Sequence, residues 1–122
     1  MMDQDRQQIL NTFLRILEHI SDLYYQRRVW ILGEGPEVDD FDETACHFFQ
    51  EGDGIIDEYT EYEINDHQYQ LLKKFRETFQ IFSDEHDWPE DFIDTPEWAK
   101  IMQMAKEVLE AFGYNRGEYK HS

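Results

Sequence analysis

The stretch 95-TPEWAKIMQMAKEVLEAFG-113 is the clearest structural element of the chain, and it indicates a helical fold. Thr95 can cap a helix through its side-chain oxygen, Pro96 suits the first helical position, and Glu97 favours the positive end of the helix dipole. Gly113 is the expected C-terminal stop. Between these ends apolar residues recur at helical spacing, which predicts an amphipathic helix. They are Trp98, Ile101, Met102, Ala105, Val108, Leu109 and Phe112.

The same periodicity predicts three more helices. The first covers residues 3–26, the second begins near Asp39 or Asp40, and the third is capped by Asn65 or Asp66. Their apolar stripes are Leu10, Phe13, Leu14, Leu17, Ile20 and Tyr24 in the first, Phe41, Ala45, Phe48 and Phe49 in the second, and Leu71 or Leu72, Phe75, Phe79 and Phe82 in the third.

The segments between these helices are less regular. The stretch 29-VWILGEGPEV-38 is a predicted connection, because two glycines and a proline interrupt it, and it starts with either a short strand or a loop. Gly52 and Gly54 are expected to break or turn the chain. Residues 55–64 fit helical spacing, although the composition of YTEYEI favours a strand, and we prefer a helix there.

Together these elements predict an all-α fold, in which residues 1–122 form a single-domain bundle of four to five helices. A short strand or hairpin is the alternative near 29–32 and 59–64, and residues 115–122 are a predicted flexible tail. Apolar residues make up 40% of the 122-residue chain and aromatic residues 16%. This content excludes a disordered acidic tail, because it is enough to bury a core.

Compartment and redox chemistry follow from the cysteine count and the N-terminus. Cys46 is the single cysteine, which excludes an intramolecular disulfide and a Cys-rich zinc site. The start MMDQDRQQIL lacks the basic and apolar regions of a signal peptide, and no apolar run approaches the roughly 20 residues that span a bilayer. We therefore predict a soluble, cytoplasmic protein.

Charge is the most informative feature for function. The chain has 28 Asp and Glu residues against 11 Lys and Arg, a formal net charge of -17. Residues 29–72 contain 13 acidic residues and residues 83–99 contain seven, with no Lys or Arg in either range. We call these ranges the two acidic segments. Nucleic acid and anionic membranes are excluded as partners because both require clustered cations, whereas a basic protein is the natural complement.

Metal sites find little support in the acidic segments. The stretch 49-FQEGDGIIDEYTEYE-63 resembles a calcium loop around Gly54, but Phe49 and Thr60 occupy the two end positions where an EF-hand needs oxygen ligands. A glycine-based turn is the better interpretation. The pairs Glu43/His47 and Glu63/His67 have one-turn spacing, and we interpret both as solvent-facing ion pairs. We predict no metal and no cofactor.

Enzymatic interpretations are weaker than binding. A magnesium-dependent nucleotide hydrolase would use 57-DEYTE-61 and 84-DEHD-87, yet both stretches lack the Lys or Arg that a pyrophosphate needs nearby. Cys46 lies on a predicted helix, away from any strained turn or helix N-terminus that would activate a thiol, so we expect a half-buried filler rather than a nucleophile. No phosphate-cradling loop or nucleophile elbow occurs. We predict that the chain is not an enzyme.

The acidic residues of the two acidic segments are best interpreted as a surface that binds a basic protein. Carboxylates raise the association rate, and nearby aromatic residues such as Trp30 hold the complex. The predicted partner-binding residues are Asp39, Asp40, Asp42, Glu43, Glu51, Asp53, Asp57, Glu58, Tyr59, Glu61 and Tyr62. A highly soluble acidic surface without a particular partner is the alternative.

In size, charge distribution and helical class the chain resembles the immunity proteins of bacterial polymorphic toxin and contact-dependent inhibition systems. That resemblance implies a non-enzymatic inhibitor that occludes the active site or substrate groove of a cognate toxin, often a basic nuclease. A nucleic-acid mimic from a phage or mobile element is the alternative binding protein, and the magnesium-dependent hydrolase is the alternative enzyme.

Overall fold

The computed structural model describes residues 2–114, which form six α-helical segments rather than the four to five predicted. Four are long and two are a single turn each, and a π-helical turn, Gln26–Ile31, follows the second. No strand occurs in residues 2–114, so the strand alternatives are wrong and the all-α prediction is confirmed. The segments are α1 (Gln4–Ser21), α2 (Leu23–Tyr25), α3 (Phe41–Asp57), α4 (Asp66–Glu85), α5 (Pro89–Phe92) and α6 (Pro96–Ala111).

Local sequence signals fix where the long helices begin. Asp40 Oδ1 accepts a hydrogen bond from the Glu43 backbone N–H at 2.8 Å. Asn65 exchanges two such bonds with Gln68, each 2.8 Å long, in a capping box. Thr95 Oγ1 accepts from the Trp98 N–H at 3.3 Å. The predicted caps Asn65, chosen from its alternative Asp66, and Thr95 are therefore confirmed, and the predicted start near Asp39 or Asp40 is fixed by Asp40.

The four long helices pack as a bundle. Both α1 and α4 contact α3 and α6, so each long helix packs against two others. Tyr24, predicted in the stripe of the first helix, is instead 74% exposed. Aromatic rings fill much of the interior, and the side chains of Phe13, Phe48, Phe75, Phe79 and Trp98 are completely buried. Leu72 rather than Leu71 belongs to the buried stripe of α4.

The first helix ends earlier than predicted, at Asp22, whose backbone is extended and whose side chain caps α2, and a buried glutamine completes this break. The Gln26 side-chain amide donates to the backbone oxygens of His19 at 3.0 Å and Ile20 at 2.9 Å, and thus satisfies two carbonyls at the end of α1. Its Oε1 accepts from Trp98 Nε1 at 2.8 Å. Residues 29–31, a candidate strand in the sequence, belong to the π-helical turn that follows Gln26.

The two central glycines do not turn the chain, since α3 runs through both of them. At Gly52 an added Cβ would lie 3.0 Å from Phe13 Cε1, so this glycine lets α1 and α3 approach closely. Gly54 occupies an open helical position. The helix predicted for residues 55–64 exists only up to Asp57, and residues 58–63 form turns that include Glu63 at φ 57°.

Two remaining expectations concern the ends and the membrane. The tail predicted for residues 115–122 lies outside the described residues. Within residues 2–114, no helix combines the length and the apolar character that crossing a bilayer requires.

Candidate functional site

The two acidic segments meet at one groove. It lies between the start of α3 and the chain that leads from α4 into α5, and its volume is about 460 Å³. Two carboxylates come from each acidic segment, and no Lys or Arg of residues 2–114 lines it. We call it the acidic groove. Its lining residues are Trp30, Asp40, Phe41, Asp42, Asp87, Trp88, Pro89 and Glu90.

The floor of the acidic groove is aromatic. Trp30 and Phe41 are buried and pack edge to face, with ring centroids 5.6 Å apart. Trp88 stands at the rim with 62% of its surface exposed, which is unusual for so large an apolar side chain. Carboxylate walls beside the exposed Trp88 suit a cation with an apolar stem, such as the side chain of Lys or Arg.

Asp39 fixes the wall that α3 contributes. Its Oδ2 accepts hydrogen bonds from Tyr25 Oη at 2.9 Å, Trp30 Nε1 at 3.2 Å and Thr44 Oγ1 at 2.8 Å. These donors lie on α2, on the π-helical turn and on α3. One carboxylate thereby ties three elements together immediately before Asp40 and Asp42.

An ion pair holds the connection that leads to Asp39. Arg28 donates from both terminal nitrogens to the Glu37 carboxylate, each at 2.8 Å. This bidentate pair lowers the pKa of Glu37 to about 2 and raises the pKa of Arg28. Glu37 therefore stays ionised at physiological pH, and the connection between the π-helical turn and α3 stays anchored.

The opposite wall depends on His86 and Pro89. The His86 ring stacks on Phe82 with centroids 4.0 Å apart, and its Nδ1 lies 2.9 Å from the Phe82 backbone oxygen. Pro89 is buried at the first position of α5. The two anchors flank Asp87 and Trp88 in sequence and place both at the groove.

The predicted partner-binding residues do not form one surface. Asp40 and Asp42 line the acidic groove, Asp39 supports it from within, and Glu43 is exposed on the next turn of α3. Because α3 has 17 residues, its ends lie about 25 Å apart. The remaining predicted residues lie in the second half of this helix or beyond its end.

Near the C-terminal end of α3, basic side chains of α4 lie beside acidic side chains of α3. Asp53 and Asp57 line a second groove together with Lys73 and Arg76 of α4. Arg76 donates to the Asp53 carboxylate at 2.8 and 3.2 Å, and this bond raises the pKa of Arg76. The first acidic segment contains no Lys or Arg, but basic residues of α4 thus offset part of its negative charge in the folded chain.

The turn after α3 uses its aromatic residues for packing. Tyr62 is only 6% exposed, and Tyr59 stacks on Tyr69 with ring centroids 4.1 Å apart. Glu61 lies 4.0 Å from Arg6, while Glu58 is exposed and Glu51, back within α3, is half-buried. Partner binding by these five predicted residues stays a prediction.

The structure changes the local geometry on which the metal and hydrolase alternatives were based. Among residues 2–114, no group of three or more His, Cys, Asp or Glu side chains is arranged to hold a metal ion. The stretch that resembles a calcium loop is helical up to Asp57, so neither that loop nor the glycine-based turn forms. Glu63 precedes α4, so it does not share a helix face with His67, and 57-DEYTE-61 is not one helix. Cys46 is exposed rather than half-buried.

The sequence interpretation missed Asp87, Trp88 and Glu90 as site residues. Their signal was the second acidic segment, in which an aromatic residue precedes a proline. Trp30, expected at a partner surface, is instead buried in the groove floor.

A histidine stacked on Tyr25 lies beside the supports of the acidic groove. The His19 ring is parallel to Tyr25, with centroids 3.8 Å apart and 6° between the planes. Burial lowers the pKa of His19, although Asp39, Glu18 and Asp22 act in the opposite direction, and Arg15 lowers it further. Burial and the hydrogen bond to Asp39 raise the pKa of Tyr25.

This histidine predicts a pH-dependent stability. Because its pKa is lower in the folded chain than the ordinary 6.5, the unfolded chain protonates first as the pH falls. The stability that neutral His19 contributes is therefore fully present above about pH 6.5, and it is lost as the pH falls toward the pKa of His19 in the folded chain. In His19→Phe, the loss of unfolding free energy between about pH 7 and about pH 5 should be smaller than in the wild type. Urea unfolding at each pH measures this loss, with His67→Phe at an exposed position as the control. Equal losses in His19→Phe and wild type would contradict it.

Comparison with known proteins gives no relative: no family model matches the chain, and no curated protein and no solved structure matches it.

Proposed function

We propose that this chain is a non-enzymatic inhibitor that binds a basic partner protein through the acidic groove. The observation that carries the proposal is the convergence of two acidic segments on one groove with an aromatic floor and no lining cation. A volume of about 460 Å³ suits a few inserted side chains rather than a folded domain. The partner therefore inserts Lys or Arg side chains from a basic segment.

The partner that fits this chemistry is a toxin domain that acts on nucleic acid. Such domains carry clustered cations because they must neutralise phosphates. The groove carboxylates take the place of substrate phosphates, and the bound chain occludes the substrate surface. This is the action of an immunity protein, and the net charge of -17 supports it because a strong negative field speeds encounter with a basic protein. A cytoplasmic location belongs to the same proposal.

The triple variant Asp42→Asn/Asp87→Asn/Glu90→Gln tests the groove. These three carboxylates are exposed, whereas Asp40 is left intact because it caps α3. A partner is first captured from the native host at low salt, identified by mass spectrometry and required to be basic. We expect its association with the triple variant, measured by stopped flow, to be about tenfold slower than with the wild type.

A matched control separates the groove from total charge. Asp5→Asn/Asp66→Asn/Glu110→Gln removes the same charge from exposed positions outside the groove. We expect this control to associate nearly as fast as the wild type, and added salt to slow the wild type steeply. Equal rates for the two triple variants, or a wild-type rate indifferent to salt, would overturn the proposal.

A further inference from the structure

A third groove, between α4 and α6, shares no residue with the acidic groove or with the groove lined by Asp53 and Arg76. Its volume is about 290 Å³, and half-buried Leu71 and Met104 supply its apolar surface. We call it the α4–α6 groove. It is lined by Leu71, Lys74, Thr78, Lys100, Gln103, Met104 and Glu107.

Its lysines differ from four arginines of the described chain. Arg6, Arg27, Arg28 and Arg76 each pair with a carboxylate at 4.0 Å or less. Neither Lys74 nor Lys100 belongs to such a pair among these residues. In a chain with 28 acidic residues, two exposed lysines beside one apolar groove form a surface that fits an acidic partner.

The α6 side of this groove is complementary to itself. Lys100, Gln103, Met104 and Glu107 are spaced three, four and seven residues apart, so they share one face of the helix. Lys100 and Glu107 lie equally far from the midpoint between Gln103 and Met104. If a second α6 crosses antiparallel at that midpoint, Lys100 of each copy faces Glu107 of the other. One two-fold axis then forms both pairs at once.

We infer that the α4–α6 groove is the dimer interface of this protein and that its occupant is α6 of a second copy. Met104 and Leu71 are covered in the dimer, and each lysine at position 100 gains a carboxylate. The large net charge does not prevent this contact, because charges beyond about 8 Å are largely screened at physiological salt. Because the contact rests on one small groove and two ion pairs, we expect it to be weak, with dissociation in the micromolar range or above.

Charge reversal on α6 tests the inference. Sedimentation equilibrium of the wild-type chain, from micromolar to millimolar concentration, should show a reversible dimer. In Lys100→Glu, the glutamate introduced at position 100 of each copy faces Glu107 of the other. In Glu107→Lys, the lysine introduced at position 107 of each copy faces Lys100 of the other. Either change therefore creates two contacts between like charges. Each variant alone should dimerise about tenfold more weakly. Lys106→Glu, an exposed reversal on α6 outside the groove, is the control and should dimerise like the wild type.

A mixture of the two variants gives the decisive measurement. When Lys100→Glu pairs with Glu107→Lys, the glutamate introduced in the first chain faces the lysine introduced in the second. The unchanged Glu107 of the first chain faces the unchanged Lys100 of the second, so heterodimers should form at concentrations at which each variant alone is largely monomeric. Far-ultraviolet circular dichroism verifies that each variant is folded. A wild-type chain that stays monomeric at millimolar concentration, single reversals without effect, or a folded mixture without heterodimers would each overturn the inference.

Discussion

Replacing Trp98 with alanine should lower the free energy of unfolding by about 4 kcal/mol. Trp98 is completely buried, and the centroids of Phe92 and Phe82 lie 4.8 and 5.3 Å from its ring. Its removal leaves a cavity at the centre of the aromatic core and also leaves Gln26 Oε1 without the indole donor. Such a loss is a large part of the roughly 5–15 kcal/mol typical of a domain. Urea unfolding followed by circular dichroism measures it.

Two controls separate the ring from the hydrogen bond. Trp98→Phe keeps an aromatic ring and loses the Nε1–H donor, so it should cost less than alanine but still more than about 1 kcal/mol, the lower end of the penalty for an unpaired buried acceptor. Trp88→Ala removes the same side chain from an exposed rim and should change stability by no more than about 0.5 kcal/mol. If Trp98→Ala and Trp88→Ala were equally stable, the assignment of Trp98 as the central core residue would be wrong.

Replacing Asp39 with alanine should lower the free energy of unfolding by about 3 kcal/mol. Three donors, from Tyr25, Trp30 and Thr44, then lose their common acceptor, and two of these side chains are aromatic residues that cannot turn freely toward water. The start of α3 also loses its link to the π-helical turn. Partner association should weaken as well, because Asp40 and Asp42 depend on that link for their position.

Asp39→Asn provides the conservative comparison. The amide oxygen keeps an acceptor at the same place but lacks the charge, so we expect roughly half the loss of the alanine variant. Asp42→Ala removes a neighbouring exposed carboxylate and should cost no more than about 0.5 kcal/mol. A stability of Asp39→Ala equal to that of Asp42→Ala would show that the three hydrogen bonds do not stabilise the fold.

Local signals predicted most of the helices because their causes lie within a few residues. Asp40, Asn65 and Thr95 cap backbone groups three positions away, and apolar stripes repeat with the helical period. The prediction of a turn at Gly52 is wrong because the cause of this glycine is not local. Phe13, on α1, packs so close to Gly52 that a larger side chain would crowd its ring.

The candidate site, too, was predictable only where its cause is local in the sequence. Counting charges along the chain identified two acidic segments. Of the predicted partner-binding residues, Asp40 and Asp42 line the acidic groove. The count could not show that Arg76, outside the first segment, offsets Asp53. Nor could it show that Asp87 and Trp88 face the start of α3.

The sequence by itself determined the helical class, the helix starts and the excess of acid, because capping, periodicity and composition act locally or simply add up. The tertiary structure alone decided that Gln26, at the start of the π-helical turn, is buried, since its side-chain amide oxygen accepts a hydrogen bond from Trp98, 72 positions later in the chain. It also decided which carboxylates remain available to a partner. Ion pairing depends on distances of a few ångströms in space, and those distances are set by how the helices pack.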